Sequence, residues 1–105
     1  MITFPYTVRP SFLKYSSHPI TVPKAYYRQL ESEDLAVADG SILIQNGSMR
    51  GTIYAGNAGW GHYYQIRARG ENSNDAVDEF ATGQRITVVI EKAIDGILVT
   101  LGAAQ

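Results

Sequence analysis

Short runs of strand-forming residues, separated by turn residues at regular intervals, constrain this chain more than any other feature. Asn46-Gly47 is a strong signal for a tight hairpin, and Asp95-Gly96 gives a second turn between two β-branched runs. Regular spacing of this kind is typical of a small β-barrel or sandwich. With 105 residues, the chain is long enough for one hydrophobic core and too short for two. We therefore predict a single domain over residues 1–105.

Period-two alternation and the positions of glycine and proline predict six or seven strands. They are Pro19–Pro23, Ser41–Gln45, Arg50–Ala55, Tyr63–Arg69, Arg85–Glu91 and Ile97–Leu101, with further candidates at Ile2–Val8 and Phe12–Tyr15. The alternation is clearest in the run 63–69, where Tyr64, Ile66 and Ala68 share one face and Tyr63, Gln65, Arg67 and Arg69 share the other. We assign Tyr64 and Ile66 to the core. The glycine-rich segment 56–61 is expected to be a loop.

Two short helices complete the predicted elements. Pro23 suits the first position of a helix, where its missing N–H costs nothing, and the apolar residues of Lys24–Leu30 recur at helical spacing. A second helix is predicted over Asp75–Ala81, with Ser73 or Asn74 as its cap and Gly83 after its end.

The charged residues are segregated along the chain, although the formal net charge is only −1. Residues 1–28 contain four basic residues and no acid, and residues 50–70 contain three basic residues and no acid. These two segments hold seven of the nine basic residues and both histidines. A protein of near-zero net charge can still present one strongly positive face, and we expect such a face here.

The same two segments contain the side-chain types that contact DNA phosphates and base edges. The candidate DNA-binding residues are Arg9, Lys14, Ser16, Ser17, His18, Lys24, Asn57, Trp60, His62, Arg67 and Arg69. The arginines and lysines are expected to neutralise phosphates, and Ser17, His18, Asn57, Trp60 and His62 are expected to lie nearest the bases. Trp60 stands between two glycines in a polar segment, which favours an exposed ring over a core position.

Several function classes lack the residues they need. The absence of cysteine removes disulfides, zinc fingers and thiol catalysis, and two isolated histidines make a poor metal site. No hydrolase, kinase or nucleotide-binding signature is present, and Asp75, Asp78 and Glu79 are interpreted as a solvated face. We therefore predict a non-catalytic domain without a cofactor. The N-terminus does not resemble a signal peptide and no apolar stretch is long enough to span a membrane, so we expect a cytoplasmic protein, or a nuclear one in a eukaryote.

The opening of the chain resembles that of the plant B-three transcription-factor domain, a member of the DNA-binding pseudobarrel superfamily. In that domain a basic, serine-bearing arm leads into a strand of the pattern (L/I)-x-(I/V)-P-K and then into a helix. The matching residues here are Ile20, Val22, Pro23 and Lys24.

Residues 78–90 resemble a later segment of the same domain, L-x-x-G-D-x-V-x-F. Phe80, Gly83 and Ile86 fit this pattern, and Gln84 replaces the usual acid. The effector domains of certain restriction endonucleases share the pseudobarrel and read DNA with the same two arms.

This resemblance implies a seven-stranded open pseudobarrel with two short helices that straddles the major groove. The first arm maps onto Lys14–His18, and the second arm maps onto Asn57–His62, supported by Arg67 and Arg69. The chain would be the recognition domain of a restriction endonuclease or of a regulator. It would bind double-stranded DNA sequence-specifically and would not associate with a membrane. A homo-oligomer and a fusion to a nuclease domain are both compatible with it, and a nuclease centre would lie outside this chain.

Three alternatives stay open at the level of sequence. The near-neutral charge and the tyrosine content also suit a non-catalytic protein-interaction or assembly module on a small β-barrel. The Ile-Thr-Val-Pro-Lys run followed by a helix also resembles the swapped-hairpin antitoxin and transition-state regulators, which are about half this length and dimerise through interleaved strands. An enzyme acting on a small molecule has the least support, because no acid, base and nucleophile converge in the sequence.

Overall fold

The computed structural model describes residues 1–44, 47–69, 77, 79–94 and 96–103. The strand-forming runs of this part of the chain become seven strands. The strands are β1 (Ile2–Thr7), β2 (Ile20–Thr21), β3 (Asp39–Ile44), β4 (Gly47–Ala58), β5 (Gly61–Arg69), β6 (Arg85–Ala93) and β7 (Gly96–Ala103). Helix α1 (Pro10–Lys14) lies between β1 and β2, and a 3-10 turn (Lys24–Tyr26) continues into helix α2 (Tyr27–Ser32).

The strands form one sheet in the order β1-β6-β7-β3-β4-β5-β2. Neighbouring strands are antiparallel, except that β3 and β7 are parallel, with Gly40 opposite Ile97. The sheet curls into a nearly closed barrel, and its two edge strands, β1 and β2, leave one unsealed seam. The prediction of a mostly-β, seven-stranded open barrel with two short helices is therefore confirmed.

Alternation along the strands fills the barrel with apolar side chains. In β5, Tyr64, Ile66 and Ala68 are buried while the residues between them are partly exposed, as the sequence pattern predicts. Phe12 of α1 and Leu30 of α2 are both fully buried. Each fully buried side chain of this size stabilises the fold by about 1.5–3 kcal/mol relative to an exposed one.

The prediction of a strand over Phe12–Tyr15 is wrong, because α1 forms there instead. Pro10 occupies the first turn of α1, where a proline is tolerated. Phe12 then points into the core, and its ring lies 5.7 Å from that of Tyr6 and 6.1 Å from that of Phe80. The burial of one aromatic ring at this end of the barrel outweighs the local strand propensity.

The glycine-rich segment 56–61 is mostly strand rather than the predicted loop. The pairing of β4 with β5 continues through Asn57–His62 and Ala58–Gly61, so that only Gly59 and Trp60 form the turn. Gly61 closes the turn with a φ of 129°, which residues with a Cβ atom rarely adopt. The second arm is therefore a tight hairpin tip.

Other predictions are confirmed within the described residues or lie outside them. The helix after Pro23 is present, and β3 and β4 form the expected hairpin, with Ile44 opposite Gly47. The turn residues 45, 46 and 95 lie outside the described residues, as does most of the helix predicted over Asp75–Ala81. Val77, from the middle of that segment, is helical and buried.

Among the described residues, none of the helices combines the length and the apolar character that crossing a membrane requires.

Candidate nucleic-acid interface

The first arm (Lys14–His18) follows α1 and is attached to the far end of β5. The carbonyl of Ser17 accepts a hydrogen bond from the amide of Ala68, at 2.6 Å. Lys14 and Ser16 are exposed and Ser17 is half-buried, so this arm presents one cation and two hydroxyl groups near the surface. These positions suit the phosphate contacts expected of them.

His18 does not share that exposure. Its side chain is only 3% exposed, its backbone has a positive φ of 43°, and its Nδ1 lies 2.7 Å from the carbonyl oxygen of Phe12. Because a carbonyl can only accept, Nδ1 carries the proton and donates it to this bond. The structure thus places His18 inside the first arm, where it fixes the arm to α1, and not on a surface that bases could reach.

The second arm (Asn57–His62) forms the tip of the β4–β5 hairpin, at the opposite end of β5. Trp60 is 63% exposed, which confirms the expectation for this ring, and its centroid lies 5.6 Å from that of Tyr63. Asn57 and His62 are exposed and face each other across the hairpin. The His62 ring also contacts Tyr27, at a centroid distance of 5.7 Å.

The two arms do not meet at one point. His62 and Ala68 are six residue steps apart along the extended strand β5, which corresponds to about 20 Å. That length equals about six base-pair steps of a duplex. The arms therefore bracket a surface on the outside of β2, β5 and β4, instead of forming a single cluster.

A chain of contacts crosses three strands on this outer surface. Gln65 of β5 donates a hydrogen bond from its Nε2 to the Oγ1 of Thr21 on β2, at 3.1 Å. Its Oε1 accepts a bond of 2.8 Å from the Nε of Arg67. The guanidinium carbon of Arg67 in turn lies 3.8 Å from the ring centroid of Tyr54 on β4. Arg67 is thus held on two sides.

The unsealed seam between β1 and β2 forms a groove beside this surface, with a volume of about 580 Å³. Arg9 lies at the end of the groove near the first arm, and Lys24 and Trp60 lie at the end near the second arm. Gln65 links the groove to the outer surface of β5. Within the described part of the chain, no aspartate or glutamate lines this groove.

On the free edges of the seam, prolines occupy positions where an N–H group could otherwise bond to an added strand. The amide of Val8 donates to the carbonyl of Gln84, directly before β6, and the amide of Val22 donates to that of Tyr64 on β5; backbone groups alternate sides along a strand. The amide positions of Pro5 on β1 and of Pro19 and Pro23 beside β2 therefore face the seam. Because proline has no N–H, neither edge offers a continuous row of donors to an added strand.

The candidate cations differ in whether they form an ion pair. Arg69 is exposed and forms an ion pair with Asp39, so its charge is partly neutralised. None of the ion pairs among the described residues involves Arg9, Lys14, Lys24 or Arg67. Across the same described ranges, no three histidine or acidic side chains are grouped as a metal ion would require.

Sequence reasoning missed part of this surface. Gln65 and Tyr63 were placed on the outer face of their strand by alternation, but not recognised as site residues. Thr21 and Tyr54 join them only through the pairing register, in which Gln65 lies opposite both. No local pattern in the sequence marks that register.

Comparisons of the chain with protein-family models, with curated proteins and with solved structures found no match.

Proposed function

We propose that this domain binds double-stranded DNA sequence-specifically, as the recognition part of a restriction endonuclease or of a regulator. One observation carries the proposal: cations from both acid-free segments lie around the seam groove and the outer surface of β5, and no acid lines that groove among the described residues. A cationic surface of this kind is what a phosphate backbone requires.

The two ends of this surface would make different contacts with a duplex, to phosphates and to base edges. Arg9, Lys14 and Lys24 would neutralise phosphates on both sides of the central surface. Asn57 and His62, together with the exposed ring of Trp60, would stand at the other end of β5 where base edges could be contacted. The distance of about 20 Å between the arms would let both contact one duplex within about six base pairs.

The proposal predicts a definite salt dependence. If Arg9, Lys14 and Lys24 each neutralise one phosphate, the logarithm of the affinity should fall with the logarithm of salt with a slope of about −2.7. Affinity should then drop by about 40-fold between 50 and 200 mM monovalent salt. Fluorescence anisotropy titrations of a labelled duplex pool at several salt concentrations measure this slope directly.

Single substitutions make the test specific to the site. Arg9→Ala and Lys24→Ala should each reduce the slope by about 0.9. Lys92→Ala serves as the matched control, because Lys92 is equally exposed but lies on β6 near Asp34, away from the groove lining. A wild-type protein that retains no duplex at 50 mM salt would rule the proposal out. A stable homo-oligomer without DNA affinity would favour the assembly module instead.

A further inference from the structure

The geometry around Arg67 points to a specific role that rests on the proposed function. We propose that Arg67 determines specificity by reading one guanine in the major groove, through two hydrogen bonds from a guanidinium group held in place by Gln65 and Tyr54. On charge alone, the sequence assigned this residue to a phosphate.

Two contacts fix the guanidinium plane. The Nε–H group donates to Gln65 Oε1 at 2.8 Å, and the face of the group lies over the Tyr54 ring at 3.8 Å from the centroid. Gln65 is itself oriented, because its Nε2 donates to Thr21 at 3.1 Å. The arginine therefore rests on one side chain of β5 and one of β4, the first of which is held by Thr21 of β2, and little rotational freedom remains to be lost on binding.

The terminal nitrogens of Arg67 keep their donors for a ligand. A guanidinium group carries five N–H donors, and the bond to Gln65 uses only the one on Nε. Within the part of the chain that the structure describes, no hydrogen bond or ion pair engages the other four. The two amino groups thus form a fork of fixed direction, which matches the O6 and N7 acceptors of guanine.

Arg67 is placed where it could contact a base edge. It lies on β5 opposite Thr52 of β4, one residue before the point where the first arm is attached, and is therefore inside the surface that the two arms bracket, next to the first arm. Lys14 and Lys24, at the two ends, can neutralise phosphates without any fixed orientation. A planar fork of fixed direction can bond two acceptors at once, and on a base edge this geometry distinguishes guanine from the other bases.

The test uses a substitution that keeps the charge and removes the fork. The sequence preference of the wild-type protein is first determined by selection from a randomised duplex pool. Arg67→Lys should then leave the salt slope unchanged but reduce the preference for guanine at one position by about tenfold. Gln65→Leu and Tyr54→Leu, which keep Arg67 but release it, should reduce the same preference partly.

A modified base identifies the contacted atom. Replacing that guanine with 7-deazaguanine removes the N7 acceptor, so the wild-type affinity should fall several-fold, and the affinity of Arg67→Lys, which lacks the fixed fork, should fall by less. Arg50→Lys is the matched control, since Arg50 is an exposed arginine on the neighbouring strand, and it should keep the full preference. Thermal melts of each variant confirm that it is folded.

The possible failures are distinguishable. A wild-type protein that does not bind DNA overturns the proposed function and this inference together. A wild-type protein with a clear preference that Arg67→Lys retains overturns only the role of Arg67. A loss of affinity that is equal for all sequences assigns Arg67 to a phosphate and also overturns the guanine contact.

Discussion

Replacing His18 with alanine should destabilise the fold by at least about 3 kcal/mol, through two contributions. The first contribution is the carbonyl of Phe12, which would lose its bond of 2.7 Å to Nδ1 in a buried position. An unpaired buried acceptor costs about 1–3 kcal/mol. The second is the space left by a ring that is 3% exposed, and large-to-small substitutions of this kind cost about 2–5 kcal/mol. For a domain of about this size, the melting temperature should fall by at least about 12 °C.

The chain contains a matched control for this experiment in its second histidine. His62 is exposed at the hairpin tip, so His62→Ala should change the stability by about 1 kcal/mol or less, mostly through its contact with Tyr27. Urea titrations followed by circular dichroism give both free energies of unfolding. Equal stabilities of the two variants would refute the assignment of His18 to the interior of the first arm.

Three further changes test other features of the fold. Gly40→Ala places a Cβ atom against the carbonyl of Ile97 in the parallel β3–β7 pair and should lower the free energy of unfolding by about 1–3 kcal/mol or more. In Gly102→Ala, the control, the added Cβ atom meets no atom within 4 Å, so the same urea titration should show a stability close to that of the wild-type protein. Pro5→Thr restores an N–H facing the seam and should therefore produce a concentration-dependent dimer in size-exclusion chromatography with light scattering. A strict monomer at every concentration would contradict the role of Pro5 in blocking an added strand at the seam. Burial raises the pKa of the Tyr6 phenol from its ordinary value of 10.0, so the neutral form is favoured in the folded state. The contribution of this neutral phenol to the stability of the fold is complete below pH 10 and is lost as the pH rises through the folded pKa. Tyr6→Phe should therefore show a smaller loss of stability in alkaline buffer than the wild-type protein.

The parts of the fold that could be predicted are those that depend on neighbouring residues in the sequence. The inward and outward faces of β5 follow from alternation alone, because successive side chains of a strand point to opposite sides. The helix after Pro23 follows from the helical spacing of the apolar residues in Lys24–Leu30, and Pro23 itself is the N-cap residue. The exposure of Trp60 follows from its two flanking glycines.

The parts that could not be predicted depend on contacts between distant segments. Phe12 adopts a helix because its ring fills a gap between Tyr6 and Phe80, and that gap exists only once the barrel is formed. The same holds for the chain from Thr21 through Gln65 to Arg67, which requires two strands to be in register. The charge pattern identified the segments of the candidate site, but not which of their side chains are buried.

The pairing of β1 with β6, and of β3 with β7, sets the order in which this domain can assemble. Ile2 lies opposite Ile90, so closing that pair costs the entropy of a loop that contains most of the chain. The β3–β4 and β4–β5 hairpins close over far shorter loops, and β2 joins them through β5. Non-local pairings of this kind slow folding. During synthesis from the N-terminus, β1 must therefore wait until β6 has left the ribosome, whereas the strands that carry Arg67 and the second arm can form their hairpin before the barrel closes.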